Sequence, residues 1–190
     1  MRVRSNRHPE MLRPDDTSLM VIDMQEPFLR GIWERERVVR NVSILIRAAK
    51  VLRLPIVPTL QYGERMGDAI DEIARLLPTN CVPFDKISFS CMADEAIASE
   101  IARSGRKQVL LCGVETHICV SQTAHDLQVQ GFAVHVAADA VSSRSERNWE
   151  VGLRRMEHAG IRISSVEMAL FELMVEAGTP EFREIVAMVK

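Results

Sequence analysis

Midway along this chain, a strand-like run with no polar break, a helical stretch ended by glycine and a second such run follow one another directly. Residues 108–113 read QVLLCG, residues 118–130 carry helical spacing up to Gly131, and residues 133–138 read AVHVAA. A strand that is apolar along its whole length has to be covered on both faces. Helices placed between such strands do this by crossing over to a parallel neighbour. The pattern excludes an all-β sandwich and a helical bundle. It predicts an α/β fold, a three-layer α-β-α arrangement around a parallel sheet of the Rossmann-like kind.

The same alternation runs through most of the 190 residues. Strand-like runs recur at 18–23 (SLMVID), 55–60 (PIVPTL), 82–86 and 161–165, which makes six strands. Helical spacing recurs at 38–52, at about 68–77, at 94–104 before Gly105, at 145–159 before Gly160, at 167–176 and from Pro180 onward. A composition of 47% hydrophobic and 26% charged residues supplies a core for one domain, residues 17–190, after an arm at 1–16. Arg2, Arg4, Arg7 and Arg13 give the arm basic character. Pro9, Glu10, Asp15 and Asp16 break any amphipathic stripe, so it reads as a solvated extension rather than an import sequence.

Charge and cysteine usage narrow the partners. A net charge of −2 gives no reason to expect nucleic acid, and no apolar run approaches the roughly 18 residues that span a bilayer. A small-molecule partner is expected, with neither nucleic acid nor membrane. Cys81, Cys91, Cys112 and Cys119 form no C-x-x-C pair, so neither a zinc knuckle nor a thioredoxin-type motif is present. With no signal-like apolar segment, reduced thiols in the cytoplasm are the expectation.

Ligands of parallel sheets sit beyond the carboxyl ends of the strands, so the residues just after each strand matter most. Asp23 closes the first run within DMQEPF; it either caps the following turn or acts chemically. Lys86 follows the third run between Phe84 and Ile87; it either snorkels to the surface or serves a buried site. Cys119 lies six residues after Gly113, near a helix start for which Thr116 is a candidate N-cap. There the helix dipole would lower the thiol's pKa and free N–H groups could hold an oxyanion; otherwise Cys119 is one more buried small hydrophobe. A cysteine, a carboxylate and a lysine at three strand ends together supply a nucleophile, a base and a cation. His117, Cys119 and His125 do not form a spaced ligand set, so no metal and no cofactor are expected. His135, alternating within AVHVAA, reads as packed.

Three motifs carry a family resemblance: VIDMQEPF around Asp23, FDKISFS around Lys86 and LCGVETHICV around Cys119. The chain from about Thr17 onward resembles the isochorismatase-like cysteine hydrolases. TLQYG at 59–63, ADAVSSRS at 138–145 and PEFREI at 180–185 bring it nearest to the small isochorismatase domain-containing proteins. The resemblance implies Cys119 as nucleophile, Asp23 as proton acceptor and Lys86 as its cationic partner. It also implies a non-proline cis peptide at Val114–Glu115 and an oxyanion hole from the N–H groups of Glu115 and Cys119. The implied activity is hydrolysis of a small amide-like or related C–N or C–O substrate through an acyl-enzyme, by a homo-oligomer of two or more copies. The alternative is a catalytically silent binding or scaffold protein on the same fold. Nicotinamidases carry a D-x-H metal motif after the second strand, where this chain has Thr59-Leu60-Gln61-Tyr62-Gly63, so a pocket metal is not implied. Phe28, Gln61 and Tyr62 fall where substrate-lining residues are expected.

Overall fold

The computed structural model describes residues 7–189. Six strands, β1 (Thr17–Ile22), β2 (Ile56–Gln61), β3 (Phe84–Lys86), β4 (Gln108–Val114), β5 (Ala133–Ser142) and β6 (Arg162–Ser164), form one sheet in the order β3-β2-β1-β4-β5-β6. Every neighbouring pair is parallel. Among the described residues, nine α-helical segments connect and cover it: α1 (Glu26–Leu29), α2 (Arg35–Val51), α3 (Gly63–Met66), α4 (Asp71–Ala74), α5 (Glu95–Arg103), α6 (Ser121–Val129), α7 (Glu146–His158), α8 (Val166–Met174) and α9 (Pro180–Val189). The α/β class, the parallel sheet and the six strands therefore agree with the sequence reading.

The unbroken apolar strands feed two cores. Leu19 and Val21 of β1 point to one face, where Val38, Val42, Leu45 and Ala49 of α2 meet Leu170 and Leu173 of α8 and Ile185 of α9. Met20 and Ile22 point to the other, against Ile97 and Ile101 of α5, Ala124 and Leu127 of α6 and Met156 of α7. Successive side chains on one strand go to opposite faces. The stretch 19–22 of β1 is therefore apolar on both faces, and the strand's polar residues Thr17 and Ser18 fall at its start.

Some expectations need correction. The helix expected at 68–77 is only the single turn α4, because Ile73 is the one buried residue of that turn and too little apolar surface is available to hold a longer helix. β3 begins at Phe84 rather than residue 82, since Pro83 has no N–H for a ladder. β5 runs on to Ser142 because a register shift between Leu111 and Gly113 lets Val141 and Ser142 keep pairing with β4. The described part of the arm is anchored at Leu12, although most of its residues are exposed. Leu12 is fully buried, its N–H donates to Glu172 Oε2 (2.9 Å), and Arg162 bonds Glu10 (2.7 Å). Arg2 and Arg4 lie outside the described residues.

Gly113 makes the closest approach in the sheet. Its φ is +107°, and a Cβ there would stand 2.0 Å from the carbonyl oxygen of Ile22. Gly31 has open space around it. Gly113→Ala is expected to destabilise the protein by about 3 kcal/mol or more, and Gly31→Ala by no more than about 0.5 kcal/mol. Urea unfolding followed by the fluorescence of Trp33 and Trp149 measures both.

Candidate active site

The strand order sets the position of the site. The chain moves outward from β1 to β2 and β3, then returns past β1 to build β4, β5 and β6 on the other side. Such a reversal opens a crevice beyond the carboxyl ends of the two central strands. Asp23 follows β1 directly, and the segment 115–120 follows β4. Both therefore border that crevice by topology alone.

Lys86 ends β3, two strand positions from β1, a separation of about 9–10 Å. Only a long side chain laid across the end of β2 can cover that distance. Its Nζ donates to Asp23 Oδ2 (2.8 Å), Gln61 Oε1 (2.6 Å) and the Ser88 carbonyl (3.3 Å), so all three ammonium protons have acceptors. The Lys86 and Asp23 side chains are 0% and 2% exposed. Asp23 Oδ1 accepts from Thr59 Oγ1 at 2.7 Å, and the Asp23 N–H donates to the Thr59 carbonyl at 3.2 Å. Cys119 is buried, with Sγ 4.0 Å from Gln61 Oε1, the amide oxygen that also accepts from Lys86. Asp23, Lys86 and Cys119, singled out separately along the sequence, thus share one buried cluster.

Electrostatics in this cluster run against the expected low thiol pKa. Burial, reinforced by the Asp23 charge and only partly opposed by Lys86, pushes the Cys119 thiol up to about 12. The neighbouring Cys91 is pushed up to about 11, again first by burial. Lys86 moves upward as well; burial works against its charge, but Asp23 and the two thiols outweigh it. The resting site therefore holds Lys86 as an ammonium and Cys119 as a protonated thiol. Nor does Thr116 cap a helix. Residues Thr116–Val120 form a π-turn that continues into α6, and the Thr116 hydroxyl is buried without a partner.

A second ion pair fixes this turn. The peptide Val114–Glu115 is cis. The Glu115 carboxylate accepts from the Arg144 backbone N–H (2.9 Å), Nε (3.1 Å) and Nη2 (2.5 Å). Burial alone would raise the Glu115 pKa, but the Arg144 bonds and charge hold it below the usual carboxylate range. His117 Nδ1 lies 2.9 Å from Ser143 Oγ, so two contacts tie the end of β4 to the end of β5. From the opposite side α7 presses in at Gly152, where a Cβ would stand 3.1 Å from the His117 backbone.

Of the remaining expected site residues, Gln61 joins the cluster, while Tyr62 and Phe28 fall less centrally. The Gln61 amide is engaged with Lys86 and, through Nε2, with the Ile87 carbonyl (2.7 Å) rather than open to a pocket. Tyr62 stands at the start of α3 with Arg65 over its ring, 5.3 Å from the centroid. Phe28 packs against the core from α1. Among the described residues, no group of three or more His, Cys, Asp or Glu could hold a metal ion. Sequence reasoning missed Gln25, which is wholly buried, donates to the Gln61 and Gly67 carbonyls and accepts from the Gln61 N–H. Its only signal was a glutamine two residues past an apolar strand.

A Rossmann-ordered α/β sheet with a thiol, a carboxylate and a lysine at the reversal point defines a class, and comparison with known proteins identifies it. The isochorismatase domain family matches residues 17–168. A secreted isochorismatase effector, Isc1, of Phytophthora sojae is 40% identical over 184 residues, covering 94% of this chain and 87% of that protein. Isochorismatase domain-containing protein 2 of Danio rerio is 35% identical over 167 residues, covering 88% and 83%. Among solved structures, the MAR1 ribonuclease of Caenorhabditis elegans superposes with a TM-score of 0.89 at 32% identity, covering 94% and 92%. The octameric YcaC hydrolase of Escherichia coli gives 0.86 at 22% identity, covering 97% and 89%, a likeness of fold. The chain belongs to the isochorismatase family of hydrolases. Among the described residues, no helix is long and apolar enough to cross a membrane.

Two pH profiles test the ion pairs. Lys86 has a raised pKa, so its contribution is complete below the unfolded value of about 10.4 and is lost as pH rises through the folded one. Lys86→Met leaves a buried carboxylate alone and is expected to cost about 3–5 kcal/mol at neutral pH, a gap that narrows only above about pH 10.4. Glu115 has a lowered pKa, so the stability lost in Arg144→Gln is constant above about pH 4.3 and disappears as pH falls further. Denaturant unfolding across pH reads both; a gap of either kind that is independent of pH contradicts the assignment.

Proposed function

We propose that this protein is a cysteine-dependent hydrolase of a small amide-like substrate. The observation that carries the reading is the convergence of Cys119, Asp23 and Lys86 in one buried cluster at the reversal point of the sheet. Asp23 takes the thiol proton as Sγ bonds to the substrate carbonyl carbon, and the carbonyl π electrons move to oxygen. The N–H groups of Glu115 and Cys119 receive that oxyanion. Collapse of the intermediate breaks the C–N bond, and the proton held by Asp23 leaves with the amine. A water then attacks the thioester while Asp23 accepts its proton, which returns to Cys119 as the acid departs. Lys86 stays hydrogen-bonded to Asp23 and holds its carboxyl group in place between these transfers.

A thiol that rests protonated fits this sequence. The nucleophile is made during attack by proton transfer to a carboxylate of the same buried cluster, so no free thiolate has to be stored.

The compartment and the partners belong to the same proposal. The P. sojae relative is named as secreted, so a cytoplasmic setting is not inherited from the family; four free cysteines favour it for this chain. Assembly into a homo-oligomer is supported by the exposed Val82, Ile87 and Phe89 around the edge strand β3 and by the octameric state in the YcaC description. The C. elegans relative is described as a ribonuclease; for this chain a net charge of −2 favours a small molecule over RNA.

The test is a panel of amides and ureas assayed for released ammonia. Cys119→Ala is expected to abolish turnover, a loss of about 10³-fold or more, with unfolding unchanged within about 1 kcal/mol. An acyl adduct should appear on the Cys119 peptide in the wild type. Retained turnover in Cys119→Ala removes the mechanism, and binding without turnover in the wild type favours the silent-scaffold alternative.

A further inference from the structure

Gln61 is placed unlike an ordinary strand-end residue. It closes β2, the strand lying between the one that delivers Asp23 and the one that delivers Lys86. Its backbone is held on both sides by one side chain: Gln25 Oε1 accepts from the Gln61 N–H (2.8 Å) and Gln25 Nε2 donates to the Gln61 carbonyl (3.1 Å). The amide has a single sensible orientation. Nε2 must donate to the Ile87 carbonyl at 2.7 Å, which turns Oε1 toward Lys86 Nζ at 2.6 Å. The same Oε1 is 4.0 Å from Cys119 Sγ. One neutral acceptor therefore touches both the cation and the thiol.

Counting protons gives this position its meaning. Lys86 has three N–H donors, and Asp23, Gln61 and the Ser88 carbonyl take them all. None is left to point at sulfur. The titratable groups whose charge acts on Cys119 are Asp23 from the end of β1, Lys86 from β3 and Cys91 from the turn that follows β3. Of these only Lys86 favours a thiolate, and the proton it would use lies on Gln61.

We propose that Gln61 is a positioning residue that withholds one N–H of Lys86 from Cys119 and accepts from the thiol, so that the nucleophile stays protonated until substrate is bound. The inference rests on Cys119 as the nucleophile but makes a separate claim: the amide at position 61 restrains the thiol through the lysine. Asn or Gln at such a place is commonly a substrate contact, which was also the expectation from the sequence. The bonds to Lys86 and Ile87 assign this one to the site's own electrostatics instead.

The test is iodoacetamide alkylation of each cysteine against pH, read by peptide mass spectrometry on the full chain. It needs no substrate, so its outcome is independent of whether any amide is turned over. Gln61→Met keeps the length and removes the acceptor; the alkylation profile of Cys119 is expected to move down by about one pH unit, about tenfold in rate at a fixed pH on its rising limb. Gln61→Glu restores an acceptor for Lys86 and adds a negative charge, and its profile should lie at or above the wild-type one. Cys112, fully buried in β4, reports unfolding and should stay unreactive in both variants. A Gln61→Met profile that is unmoved or shifted upward overturns the proposal, as does a downward shift in Gln61→Glu. Faster labelling of Cys112 in step with Cys119 overturns it too, because Gln61 would then be holding the fold together rather than restraining the thiol. If instead Cys119→Ala retains turnover while these profiles behave as expected, it is the hydrolase reading that falls.

Discussion

A buried ion pair reaching across two strands is the constraint around which this protein is arranged. Removing a carboxylate and an ammonium from water costs several kcal/mol for each, and their attraction offsets that only when the remaining lone pairs and protons are also bonded. Asp23 and Lys86 meet that condition through residues of β2, the strand between them: Thr59 takes one carboxylate oxygen and Gln61 takes one ammonium proton. Gln25 in turn holds the Gln61 backbone. The end of β2 is thus a row of polar residues on a strand whose earlier part is core, and it can be so because each polar group has a partner.

Topology explains why these particular residues meet. The sheet reverses direction between β1 and β4, and only there do two adjacent strands send their following loops apart. The turn after β4 must then be carried close to β1. Gly113 permits this, with Ile22 where a side chain would otherwise be, and Gly152 lets α7 close on the same turn from behind. The Glu115–Arg144 pair and the His117–Ser143 contact join that turn to the end of β5. Rigidity at Cys119 is therefore supplied from three directions by elements far apart in sequence.

Much of this could be read from the sequence, for a definite reason. In a parallel sheet covered on both faces the central strands are mostly apolar, so Asp23 and Lys86 stand out at the ends of their runs, and the family resemblance placed Cys119 beside them. The protonation state could not be read. A position near a helix start argued for a lowered thiol pKa, whereas burial and the Asp23 charge dominate, and both depend on what packs around the sulfur in three dimensions. The roles of Thr59 and Gln25 were hidden likewise, because a threonine in an apolar run and a glutamine in a turn have ordinary local explanations. Leu12 was lost within a charged arm, although one leucine among arginines is enough to dock a segment when a core has room for it.

The charge balance of the site narrows what its chemistry has to manage. Asp23 is matched by Lys86 and Glu115 by Arg144, while the thiol is neutral, so the cluster carries two closed pairs and no net charge. The wholly buried Asp23–Lys86 pair has its desolvation offset by bonds to Thr59, Gln61 and Ser88, whereas Arg144 stays largely in solvent. In the proposed reaction Asp23 is neutralised as the thiol proton arrives, which releases Lys86 from its partner at the moment the substrate oxygen becomes negative. One positive charge is then unmatched and one negative charge is newly formed within the same enclosure. Stabilisation by fixed charges and dipoles is strongest where water is excluded, so the balance of the resting pair becomes a source of transition-state stabilisation without any residue having to move far.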